Sequence, residues 1–270
     1  MNKNLNLMFG KKCFSVSFLD NNLEKGIEGP VYLSHTSKNP DYIFELGYQG
    51  NGNEGKDWEV LHFKGEKWLF RKMSNNGGMV LFPKNNNISS GIRIMGFLYG
   101  MFYRYEQNNG NNNSFMIHAA GLQRKQKGFI FAGKSGAGKT TVSKLSLDEA
   151  ELLSDDSIMV TEENAEFYIS QVPIHTGLAE LNDKLIPLSS IFLLVKDKKN
   201  SLRKLGGSEI AERIMDNILY VNLSENLRLK DFYAIKLRFL SAVCARVPIY
   251  ELRFTKDNRF WKEIERFGLL

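Results

Sequence analysis

Gly133-Lys134-Ser135-Gly136-Ala137-Gly138-Lys139-Thr140 fits the pattern G-x-x-x-x-G-K-[ST], and its surroundings decide how the chain is read. Three glycines let a short loop turn tightly and aim successive backbone N–H groups inward, where they can meet phosphate oxygens. Lys139 adds a point charge for the outer phosphates, and Thr140 a hydroxyl for Mg²⁺. The pattern gains weight between a strand and a helix. Phe129-Ile130-Phe131-Ala132 supplies an apolar strand ahead of it, and Thr141-Val142-Ser143-Lys144-Leu145-Ser146-Leu147 continues helically behind it. The helix would then add its N-terminal amides and positive dipole end. The expected contacts to a nucleoside triphosphate are Gly133, Ser135, Gly136, Ala137, Gly138, Lys139, Thr140 and Thr141.

Leu152-Leu153-Ser154-Asp155-Asp156 comes soon after. One helix of about ten residues fits between, which predicts that the strand Glu151 to Ser154 returns beside the strand feeding the loop. Its carboxyl end would face the phosphates, the edge at which open α/β sheets bind ligands. Adjacent strand residues point opposite ways, so the two carboxylates are expected to differ in role. One can hold Mg²⁺ and the other can accept the proton of an attacking hydroxyl. The bland alternative is a turn with two solvated acids. Upstream, Met116-Ile117-His118-Ala119-Ala120-Gly121 ends an apolar strand on a histidine. If that strand lies beside the loop strand, His118 reaches the γ-phosphate or the acceptor; otherwise it is a satisfied core histidine. His35 and His62 read as structural, while His175 and Glu180 are secondary pocket candidates.

Away from the loop, residues 1 to about 87 carry short alternating runs at Phe14 to Phe18, Tyr42 to Leu46, Trp58 to Phe63, Lys67 to Arg71 and Met79 to Phe82, separated by Gly, Asn and Asp. They predict a mostly antiparallel β region, left by an apolar helix over Ile92 to Gln107. The asparagine-rich run Asn108 to Ser114 marks a boundary. Beyond it the expected elements are strands Phe115 to Ala119 and Gly128 to Ala132, a helix Thr140 to Ala150, and strands Glu151 to Ser154, Glu166 to Ile169 and Ser189 to Val195. A serine-capped helix Ser208 to Tyr220, a helix Glu225 to Arg246, a strand Ile249 to Phe254 and a helix Asn258 to Phe267 complete the series. The expected fold class is α/β with a phosphate-loop core preceded by a β-rich N-terminal region. The corresponding domains are 1–107, with its exit helix, and 114–270.

With 270 residues, of which 43% are hydrophobic, the chain can bury a substantial core. No apolar run approaches the roughly 20 residues of a membrane-spanning helix, and Met1 to Gly10 lacks the apolar stretch of a secretory signal, so a cytoplasmic address without membrane partners is expected. Cys13 and Cys244 are isolated and read as buried apolar residues. A net charge of +6 suits an anionic partner. No aromatic-basic recognition motif accompanies it, so nucleic acid is not expected, and Lys196 to Lys199 read as a solvated face.

A histidine shortly ahead of G-x-S-G-x-G-K-[ST], followed by a strand ending in Asp-Asp, resembles the HPr kinase/phosphorylase family and its smaller relatives, including lasso-peptide kinases; the phosphoenolpyruvate carboxykinases share that nucleotide-binding core. The resemblance covers His118 to Val160 closely and runs more loosely to about Tyr220. It implies ATP as phosphoryl donor, with Lys139 on the β- and γ-phosphates and Thr140 and Asp156 at Mg²⁺. It further implies Asp155 as base toward a serine hydroxyl, with His118 assisting it. Thr140-Thr141 stands where HPr kinases tend to have Ser-Glu, and Ala179-Glu180-Leu181-Asn182 is the nearest counterpart of their acidic segment. These departures favour the smaller kinases over HPr as acceptor. The expected activity is an ATP-dependent kinase acting on a serine or threonine hydroxyl of a peptide or protein, its β-rich region serving acceptor recognition or homo-oligomer contacts. The alternatives are a kinase of a free amino acid or small molecule, and a nucleotide-binding regulatory module.

Overall fold

The computed structural model describes residues 4–9, 11–20, 23, 32–33, 39–50, 57–84, 88–108, 113–172, 174–175, 179, 184–219 and 229–270. His35, Glu180, the middle of the asparagine run and the expected helix start at Glu225 lie outside them. The fold is mixed α/β, with two large sheets and few helices.

In the first part of the chain, β1 (Leu5–Phe9), β2 (Lys12–Phe18), β4 (Tyr42–Tyr48), β5 (Glu59–Phe63), β6 (Glu66–Ser74) and β7 (Gly77–Phe82) form a six-stranded sheet in the order β1-β2-β4-β7-β6-β5. The short strand β3 (Tyr32–Leu33) stands apart and pairs with β14 (Ile174–His175). The sheet is mixed rather than mostly antiparallel, because β2 with β4 and β4 with β7 run parallel. Parallel neighbours need a long crossover, and the chain supplies one between residues 18 and 42 and another, containing the β5–β6 hairpin, between 48 and 77.

Helix α1 (Ser90–Asn108) covers one face of this sheet. The ring of Phe97 meets Phe44 edge-on at 5.2 Å, and Phe102 stacks on Phe9 at 5.9 Å. Arg93, 1% exposed, donates its Nε–H to Glu66 Oε2 at 2.8 Å and also bonds Oε1; Trp68 Nε1 donates to the same carboxylate at 2.9 Å. The helix also reaches forward. Met116 N donates to the Tyr99 hydroxyl at 2.9 Å, and that hydroxyl donates to Leu219 O at 2.8 Å.

The second sheet has ten strands. Eight follow the order β11-β9-β10-β15-β13-β12-β8-β17, and β18 pairs with β15 and β16 off that path. Their ranges are β8 (Ser114–Ile117), β9 (Ala119–Arg124), β10 (Lys127–Ala132), β11 (Glu151–Ser154), β12 (Ile158–Glu163), β13 (Glu166–Gln171), β15 (Ile186–Lys196), β16 (Ser201–Lys204), β17 (Ile218–Leu219) and β18 (Ile249–Phe254). The single strand expected over Phe115 to Ala119 breaks at His118, and its halves join different neighbours: β8 pairs with β12 and β17, β9 with β10 and β11. The strand carrying the acids therefore does not lie against β10. The β9–β10 hairpin fills that seat, and β11 sits one strand further out, antiparallel to β9 and so aligned with β10.

Helices α2 (Lys139–Ser146), α3 (Gly207–Ile214), α4 (Leu229–Arg246) and α5 (Phe260–Arg266) complete the fold. The helix expected over Ser208 to Tyr220 is shorter. It begins without a side-chain cap, gives one 3₁₀ turn at Met215–Asn217, and passes into β17. Cys13 is buried and Cys244 partly so, and no disulfide joins them. Among the described residues, no helix is long and apolar enough to cross a membrane.

The Arg93–Glu66 pair sets a measurable stability term. Burial alone pushes the Glu66 carboxyl up, but the hydrogen bonds from Arg93 and Trp68 and the guanidinium charge outweigh it, holding the group below its usual range. A depressed folded pKa contributes stability above the unfolded value of about 4.3 and loses it as pH falls through the folded value. Arg93→Ala, which leaves a buried carboxylate unpaired, should cost roughly 3–5 kcal/mol at neutral pH in denaturant unfolding. Glu66→Gln should flatten the acid limb of the melting temperature against pH; an unchanged limb would remove Glu66 from that role.

Candidate functional site

The candidate site lies at one edge of the second sheet. Strands β10 and β15 run parallel with Ala132 opposite Leu193, so both carboxyl ends point the same way, and β9 begins there with Ala119 opposite Ala132. Along that edge come, in order, the acids after β11, His118 before β9, the glycine loop after β10, and Lys196 at the end of β15.

The loop 133–138 joins β10 to α2. Ala137 N donates to Lys134 O at 2.9 Å, closing a tight turn. Gly136 and Gly138 take left-handed backbone angles, φ +78° and +111°. A Cβ on Gly138 would sit 2.5 Å from the ring of Phe254. Both backbone and space thus require glycine where α2 begins, and a helix start without a side-chain cap leaves backbone amides that can meet an anion. Lys139, 8% exposed, turns back to donate to Gly133 O at 2.8 Å. Burial pushes its ammonium below the usual lysine range, and the Asp156 charge works against that shift.

Asp155 and Asp156 follow β11 in a turn rather than within the strand. The Ser154 hydroxyl accepts from Asp156 N at 3.3 Å and Ser157 N at 3.1 Å, and Gln171 Nε2 donates to Leu153 O at 2.7 Å behind it. The alternation that would send the two carboxylates to opposite faces does not apply, and both line one cavity. They still differ: Asp155 is buried, whereas Asp156 is exposed and takes a hydrogen bond from the Ser157 hydroxyl at 3.1 Å. The His118 Nδ1 lies 3.4 Å from Asp156 Oδ1, so the imidazole meets Asp156, not the base it was expected to assist.

The cavity measures about 470 Å³. His118, Ser135, Gly136, Gly138, Lys139, Thr140, Thr141, Asp155 and Asp156 all line it, while Gly133 and Ala137 belong to the loop without facing in. His62 lies in β5, on the other sheet, and His175 is placed by its backbone in β14. Two residues escaped the sequence reading. Lys196, taken there for part of a solvated face, lines the cavity. Its signal was available: a lysine at the carboxyl end of an apolar strand beside a glycine loop. Asn217, 4% exposed, donates from Nδ2 to both His118 O and Gly133 O at 3.1 Å, and nothing in its local sequence marks it.

Among the described residues no three His, Cys, Asp or Glu side chains form a metal-binding group. The donors at hand, the Thr140 hydroxyl and one or two carboxylates, suit a Mg²⁺ ion completed by phosphate oxygens and water.

The chain belongs to the family described as SynChlorMet cassette protein ScmC, whose model matches residues 81–269. Among solved structures it is similar to the Hpr(Ser) kinase/phosphatase from Coxiella burnetii, at 15% identity, with a TM-score of 0.31, covering 57% of this chain and 96% of that one. No curated protein matches the chain.

Gly138→Ala tests the loop geometry. The left-handed backbone and the Phe254 contact together should cost about 1–3 kcal/mol of stability in thermal or urea unfolding. A second variant, Phe254→Ala combined with Gly138→Ala, should recover only the part due to the contact. A fully tolerated Gly138→Ala would mean that the loop does not need this conformation.

Proposed function

We propose that the chain is a kinase that transfers the γ-phosphate of ATP to a serine or threonine hydroxyl of a peptide or protein. The observation that carries this reading is that one cavity holds the glycine loop with Lys139, the Asp155–Asp156 pair and His118 together. Phosphoryl transfer needs positioned phosphates, neutralised charge and somewhere for the hydroxyl proton to go, and these groups supply all three.

In this reading the loop amides and Lys139 bind the β- and γ-phosphates, Lys139 leaving Gly133 O to do so. Mg²⁺, held by Thr140 and Asp156, would neutralise charge on the phosphate oxygens. Asp155 accepts the proton as the acceptor oxygen bonds to the γ-phosphorus and the bond to the β-phosphate oxygen breaks, releasing ADP. His118, facing Asp156, keeps that carboxylate oriented and can carry positive charge beside the transferring group. Residues 114–270 then form the kinase domain, and 1–107 supply the surface for acceptor recognition or contact between copies. The alternative of a regulatory nucleotide-binding module predicts binding without transfer.

Incubation with ATP, Mg²⁺ and a library of serine- and threonine-containing peptides should give a mass gain of one phosphate on some members. Asp155→Asn should lower the rate by about 10²–10⁴-fold while ADP binding, followed by calorimetry, stays within a few-fold. Lys139→Met should abolish binding and transfer together. Full transfer activity in Asp155→Asn would take the base role from that residue, and ADP binding without any transfer would favour the regulatory module.

A further inference from the structure

We infer that Asn217 couples the nucleotide-phosphate seat to His118, so that the arrival of phosphate on the glycine loop is felt at the histidine. The inference rests on the reading of Gly133 to Thr140 as that seat, but the coupling residue lies outside the loop, on the 3₁₀ turn between α3 and β17.

Asn217 is tied to His118 in both directions. The His118 N–H donates to the Asn217 carbonyl at 2.7 Å, and the Asn217 side-chain amide donates to the His118 carbonyl at 3.1 Å. The same amide nitrogen donates to Gly133 O at 3.1 Å. An amide NH₂ has two protons, so each carbonyl takes one and the group has no donor to spare. Beneath it the turn is held by α4, where the buried Lys236 donates to Met215 O at 3.4 Å. Beside it Ile218 pairs with Ile117 in the sheet.

The carbonyl of Gly133 is the point of exchange. It accepts from two donors, the Asn217 amide and the Lys139 ammonium at 2.8 Å. To bind phosphate, Lys139 must leave this carbonyl. Asn217 then carries it, because a carbonyl left unpaired at the base of the loop costs about 1–3 kcal/mol. Any adjustment of that amide toward Gly133 O acts on its other proton, which holds the backbone of His118. Lys139 and His118 line the same cavity but are joined through this backbone route as well as through space.

The test uses the full chain uniformly labelled with ¹⁵N, with the His118 signals assigned by their loss in His118→Gln and the Asn217 side-chain amide by its loss in Asn217→Ala, and ADP with Mg²⁺ as the probe. In the unsubstituted protein ADP should shift both the His118 ring resonances and the Asn217 side-chain amide. In Asn217→Ala, ADP should bind within about tenfold of its original affinity, the scale of one lost hydrogen bond, while the His118 shift falls by roughly half or more. Lys139→Met provides a second route that leaves Asn217 in place: without nucleotide, it should already move the Asn217 amide in the direction ADP does. A His118 response that persists undiminished in Asn217→Ala overturns the coupling, as does an Asn217 amide indifferent to both ADP and Lys139→Met. If ADP fails to bind the unsubstituted protein, the phosphate seat itself is refuted, and the coupling with it.

Discussion

Parallel pairing of β10 with β15, and of β15 with β18, is the constraint from which the candidate site follows. It brings three carboxyl ends to one edge, so the loop after β10, Lys196 at the end of β15 and Phe254 at the end of β18 become neighbours. Phe254 then presses on Gly138, and the loop can be built only from a residue without a side chain at that point. Much of each strand is apolar, with Ile130, Phe131, Ile191, Phe192 and Leu252 essentially shielded from water. These apolar side chains are committed to packing, and the polar groups of the candidate site come from residues at or just past the strand ends.

The second requirement is that His118 and the acids reach this edge, and here the antiparallel β9 does the work. Because β9 starts where β10 ends, the residue before it is delivered to the loop; because β11 is antiparallel to β9, its carboxyl end arrives at the same side. The break of the apolar run at His118 is what makes this possible. Its backbone N–H and C=O bond to Asn217 in place of a continuous strand pairing, so the interruption is stabilised rather than tolerated.

Much of this was legible in the chain. The strand–loop–helix at Phe129 to Leu147 and the bounds of the strand Glu151–Ser154 follow from apolar runs and glycine spacing, although that strand pairs with β9 rather than with β10. What escaped the reading has identifiable causes. The turns Lys125-Gln126 and Asn164-Ala165 are two-residue hairpin turns with φ of +49° and +61°, and +49° and +64°. Three of these four residues are not ones that usually signal such a turn, so strands β9 and β12 are not evident from the sequence. The parallel pairs of the first sheet depend on long-range partner choice, which local alternation does not encode. Asn217 is set by tertiary contact alone, from a distant part of the chain.

The order of groups along the edge gives the cavity a polarity. Asp155, Asp156 and His118 stand on the β9–β11 side of the glycine loop, and Lys196 stands on the β15 side. A phosphate chain laid across the loop would meet two carboxylates and a histidine at one end and the Lys196 ammonium at the other. Under the kinase reading, the γ-phosphate belongs toward His118 and the nucleoside toward Lys196, since the reverse would bring the attacking hydroxyl to a lysine and leave the acids without a proton to accept. Under that reading the direction of a nucleotide would follow from strand order, because no rearrangement of side chains alone can exchange the two flanks of β10.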